Sequence, residues 1–169
     1  MSTIPTRQQV LGTFAMTMDQ AKKLVADVPD DRFAELPFEG AKHPGWVLGH
    51  LCCGAGMGAA FLAGEEGVAG CPDAWVTACM PGTQLAADRS AYGAKADLLT
   101  HFERVHGLLA DRYGAASDDL LATEFPNPEY RSFFPTLGDA CFYLMAYHEG
   151  YHLGQLSAWR RAAGFGPVD

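Results

Sequence analysis

The stretch TLGDACFYLMAYHEGYHLGQLSAWRRAAG, residues 136–164, decides how the chain is read. Thr136 stands three residues before Asp139, the spacing at which a hydroxyl at a helix start and an acidic side chain one turn in satisfy each other's backbone N–H groups. A long helix is therefore expected from Thr136 to Gly164. At the 3.5-residue spacing of a packed seam it buries Cys141, Met145, His148, His152, Gln155 with Leu156, and Trp159. Two histidines four apart thus fall on the apolar stripe of a core helix.

Three more helices can be read upstream. The first runs from about Pro5 to Asp27 with Val10, Phe14, Ala21, Leu24 and Val25 on one stripe, and stops at Pro29-Asp30-Asp31. A loop through FAELPFEGAKH follows. The second opens at Pro44, whose fixed φ suits a first helical position, and ends at Gly64. Its glycines at 45, 49, 54, 56 and 58 point to close approach by a neighbour. Residues 65 to 88 are punctuated by Gly, Pro and Asp and read as a long irregular connection with a short helical turn at Trp75 to Cys79. The third helix is expected from Ser90 to Gly114, with Leu98, Phe102, Val105 and Leu109 as its seam. YRSFF, in the turn before Thr136, is the one short hint of β structure, and no internal repeat is seen. The expectation is an all-α chain, one domain over 1–169, built as a four-helix bundle with a long connection between helices 2 and 3.

The seam of the second helix is Val47, His50, Gly54, Met57 and Phe61, which turns a third imidazole inward. An unpaired polar group in an apolar core costs about 1–3 kcal/mol, so three in one layer form a conflict that a divalent metal would remove. His148 and His152 can chelate from one helical face and His50 from another. A borderline ion such as Zn²⁺ takes three nitrogens and keeps a position for water. HEGYH also matches H-E-x-x-H, the zincin signature, and glycines at 54 and 58 leave room for a ligand or a helix. Of the other histidines, His43 lies in the turn before Pro44, and His101 and His106 flank the third seam and are read as surface or boundary residues. Cys53, three residues after His50, is read as a small buried thiol before a fourth ligand.

Composition removes several classes. A chain of 169 residues buries roughly 70% of its unfolded surface and needs no disulfides to fold. With 49% hydrophobic and 19% charged residues it is of ordinary globular composition, and no apolar run approaches the roughly 20 residues of a membrane span. The start MSTIPTRQQVLGTFAM carries no export pattern, so a cytoplasmic protein is expected. A net charge of -8 argues against nucleic acid as a partner, and the pair Arg160-Arg161 is too small a patch to reverse that. Five cysteines without a CxxC point to neither a disulfide framework nor a zinc ribbon.

In PGWVLGHL (44–51), in the 136–164 stretch and in the helical layout between them, the chain resembles the DinB-like superfamily. Residues 65–89 match no part of that pattern. The resemblance implies an up-down-down-up helical bundle, commonly a homodimer, with a divalent metal held by His50, His148 and His152. It also implies transfer of a low-molecular-weight thiol such as bacillithiol to an electrophile, or mycothiol-dependent isomerisation. Zn or Ni would then stabilise the thiolate. Glu149, about 100° round the helix from His148, is a candidate base or support for the site, with a solvated position as its alternative. Gln155 is the candidate to orient a ligand or a histidine, and Tyr151 is read as packing. A metal-dependent hydrolase with Glu149 activating water is the alternative enzyme. It lacks the downstream ligand of zincins, since the one acid after His152 is Asp169. A non-catalytic metal-binding stress protein would need a fourth protein ligand, such as Cys53.

Overall fold

The computed structural model describes residues 5–83, 85 and 87–168; Asp169 lies outside them. Among these residues the fold is all-helical, and the single β contact is an isolated antiparallel bridge between Glu124 and Thr136. α1 spans Arg7–Val25 and is opened by a reciprocal Thr6–Gln9 cap; its buried residues are Val10, Phe14, Ala21, Leu24 and Val25, the stripe expected from spacing. α2 spans Pro44–Leu62, α3 Asp73–Cys79, α4 Lys95–Ala115 and α5 Asp118–Leu121. α6 (Leu137–Phe142) passes through a π-helical segment (Tyr143–His148) into α7 (Glu149–Ala162) without a break, and the Thr136–Asp139 capping box starts it.

α2 is the centre of the fold. Nearly all its residues are buried, because it lies along α4 and α3 and is crossed by α7 and the π segment. By length and apolarity it could cross a membrane, contrary to the reading that no run is long enough. Yet 89% of its most apolar window is buried inside the fold, the position of a core helix. Its cap is His43, whose Nδ1 accepts the Trp46 N–H at 3.1 Å, with Pro44 at the first helical position.

The third helix begins later than spacing implied. Arg89–Tyr92 form a 3₁₀ turn, and Gly93 then takes φ +67°, a left-handed conformation that breaks the helix before Lys95. Lys95 closes α1 from there, its Nζ donating to the carbonyls of Val25 (2.7 Å) and Val28 (2.7 Å). YRSFF forms no strand, and Pro128–Tyr130 is a 3₁₀ turn. Arg160 is not a surface cation: it is buried, paired with Asp27 at 2.5 and 3.1 Å, and bonded to the carbonyls of Leu24 and Gly166.

Candidate metal centre

His50, His148 and His152 come together, with one ligand atom from each lying within 4.8 Å of the others. His50 and His152 are buried and His148 is half-buried. Local sequence explains the convergence. Gly54 sits one turn beyond His50, and a Cβ there would stand 2.9 Å from His148 Cε1, so glycine is what lets the imidazole reach α2. The π segment ends at His148, and the α-helical geometry that follows sets His152 on the same face one turn on.

The hydrogen bonds assign the tautomers. His50 Nδ1 is 2.7 Å from the Cys79 carbonyl, which can only accept, so Nδ1 carries the proton and Nε2 keeps its lone pair. His152 Nδ1 donates to Gln155 Oε1 at 2.9 Å and leaves its own Nε2 free. His148 Nε2 lies 3.0 Å from His50 Nε2, and without a metal it must donate its proton to that lone pair. An ion with bonds near 2.0–2.1 Å would separate its ligand nitrogens by about 3.3 Å, which small ring movements reach from here.

All three rings are held neutral, the ligand form. Burial pushes His148 down to about 3, helped by the neighbouring charges of His50 and His152. Burial also lowers His152 to about 4, against the opposing Gln155 bond. The same cause lowers His50, although the Cys79 carbonyl favours its protonated ring. These residues could hold a metal ion, and among the described residues no carboxylate or thiol joins the group.

The candidate supporting residues separate. Gln155 Oε1 accepts the Nδ1 proton of His152, one turn away. Glu149 is neither solvated nor bonded to the cluster: it is 1% exposed and turns into the core, where Oε1 lies 3.1 Å from His106 Nε2. His106 is fully buried, which corrects its reading as a surface or boundary residue. The apolar face of α4 is wider than a two-position seam and takes in His106, stacked with Phe14 and tilted on Phe102. His101 is half-buried, edge-on to Trp75. Cys53 is a free thiol that faces Cys71 and does not join the histidine group. Tyr151 is 55% exposed, with its ring edge-on to His152 at 5.0 Å.

Two parts of the site escaped sequence reasoning. Trp46 lies flat on His50 at 4.6 Å and 11°, with the Lys42 ammonium 4.3 Å from the Trp46 ring centroid. Its position four residues before His50 was the available signal. The Cys79 carbonyl carried none, because any residue supplies a carbonyl and α3 lies in the segment without periodicity.

A model of the DinB superfamily matches residues 13–156, and the chain belongs to that superfamily. No curated protein matches the chain.

Proposed function

We propose that the protein is a divalent-metal enzyme that transfers a low-molecular-weight thiol to a small electrophile, with His50, His148 and His152 as ligands and Zn or Ni as the ion. One observation carries this reading: three neutral imidazoles bring one ligand nitrogen each to within 4.8 Å of the others, and no fourth histidine, cysteine or carboxylate closes the group among the described residues. A divalent ion bound there lowers the pKa of a coordinated thiol and makes the thiolate available at neutral pH. The chain's part is to hold the rings. Cys79 and Gln155 fix two of them by their Nδ1 protons, and Trp46 covers one face of His50.

The hydrolytic alternative needs Glu149 to reach a water at the cluster, and its carboxylate is committed to His106 instead. A purely structural metal would call for a fourth protein ligand, and Cys53 is engaged with Cys71. The four long helical stretches, α1, α2, α4 and α6 to α7, read as an up-down-down-up four-helix bundle. The exposed rings of Phe142, Tyr147 and Tyr151 favour a homodimer.

The test is elemental analysis of protein purified without a His tag or chelator, beside His50→Ala, followed by absorption spectra of the Co²⁺ form with and without a small thiol. Metal near one per chain that depends on His50, with a new thiolate-to-cobalt band on adding thiol, is the expected result. Failure to load metal under any condition overturns the proposal.

A further inference from the structure

Away from the histidines, two thiols meet between α2 and the connection that follows it. Cys53 is fully buried on α2, and Cys71, half-buried in the turn leading to α3, packs against the core cluster that contains it with the two thiols facing each other. That turn is held in place from both sides. Ala69 N–H donates to the Gly56 carbonyl at 3.1 Å, and the Ala69 carbonyl lies 2.6 Å from where a Gly56 Cβ would be, so glycine lets the turn press onto the helix. Gly56 is one turn beyond Cys53 on the same face of α2. From the other side Arg104 of α4 donates to the Gly70 carbonyl. The neighbouring residues therefore keep Cys71 on top of Cys53.

We propose that Cys71 and Cys53 are a peroxide-sensitive thiol pair that closes to a disulfide, a modification site separate from the histidine cluster. The outer thiol is the one a small oxidant can reach, and the inner one is already in contact with it. Their electrostatics divide the roles the same way. The neighbouring Cys53 thiol lowers Cys71 toward its thiolate against the opposing effect of burial, with help from the Arg104 guanidinium, while Cys71 and burial keep Cys53 protonated. The Cys71 thiolate attacks the distal oxygen of a hydroperoxide; the O–O bond breaks, Cys71 becomes a sulfenic acid, and the departing alkoxide takes a proton from water. Cys53 Sγ then attacks Cys71 Sγ, the S–S bond forms as the S–O bond breaks, and hydroxide leaves with the Cys53 proton as water. Two thiols and one hydroperoxide give a disulfide, an alcohol and a water. The product ties α2 to the turn before α3, and a dithiol reductant reverses it.

Three further cysteines serve as internal references: Cys52 and Cys79 are buried near the pair, and Cys141 is buried in a separate part of the core. The experiment treats metal-free full-length protein with hydrogen peroxide, alkylates the remaining thiols, and maps peptides with and without dithiothreitol. Metal-free protein keeps the outcome independent of the histidine site. The expected result is a reducible link between the Cys53 and Cys71 peptides within one chain, with Cys71 consumed about tenfold faster than Cys141. In Cys53→Ser, Cys71 should instead be trapped as a sulfenic acid by dimedone, and Arg104→Gln should slow its loss. A Cys71–Cys52 or Cys71–Cys79 link, a link between chains, or Cys71 passing to sulfinic acid while Cys53 stays alkylatable overturns the proposal.

Discussion

Two groups of buried imidazole lie next to each other in this fold and end differently. His106 has both ring nitrogens occupied, Nδ1 by the Phe102 carbonyl at 2.8 Å and Nε2 by Glu149 at 3.1 Å. His50 and His152 each have Nδ1 bonded to an oxygen, and their Nε2 atoms share one small space with that of His148. His148 and Glu149 are adjacent in the chain, so one step along the helix separates a carboxylate paired with His106 from an imidazole that faces other imidazoles. Burial of a histidine is thus a poor sign of a metal site. The useful sign is a set of inward ring nitrogens that meet only one another and no oxygen of the protein.

The largest effect is expected of His148→Ala, which should abolish stoichiometric metal by elemental analysis, while His106→Ala keeps metal near one per chain. Equal retention in both would remove the distinction. The His106 variant should instead lose about 3 kcal/mol in urea unfolding, because it strips Glu149, already unpaired at Oε2, of its remaining partner. A loss below about 0.5 kcal/mol would mean that the pair contributes nothing. Gln155→Ala, which frees the His152 ring to turn, should weaken metal affinity by about 10- to 100-fold in a chelator competition and leave stability nearly unchanged.

A smaller effect follows from pH. The folded-state pKa values of His148 and His152 lie near 3 and 4, below the unfolded value of about 6.5. The unfolded chain therefore binds more protons in that interval, and stability of the metal-free protein should hold above about pH 6.5 and fall as pH drops toward 4. The urea midpoint at pH 7.5 and at pH 5 measures this, and His148→Ala should flatten the difference. Least affected should be His101→Ala: its half-exposed ring joins neither group, so metal content should stay the same and stability should move by no more than about 0.5 kcal/mol.

The α1 stripe, the Thr136–Asp139 cap, the Pro44 start and the inward facing of His50, His148 and His152 were legible in the chain, because spacing and caps are local. Two features were not local. A seam of Leu98, Phe102, Val105 and Leu109 leaves His106 at its edge, where Phe14 of α1 and Glu149 of α7 cover it. The connection from 65 to 88 had no period to read, yet it supplies the Cys79 carbonyl under His50 and the Cys71 thiol over Cys53.

Sequence alone was enough for the helical class, the superfamily resemblance and the inward face of each histidine, which rest on spacings and motifs within single helices. Tertiary structure decided what each imidazole and thiol meets. Glu149 belongs to His106 and not to the histidine cluster because α4 passes on that side of α7, and Cys53 belongs to Cys71 because a turn some eighteen residues on is pressed against a glycine of α2. Such partners are fixed by chain reversal and packing, for which no residue spacing is a measure.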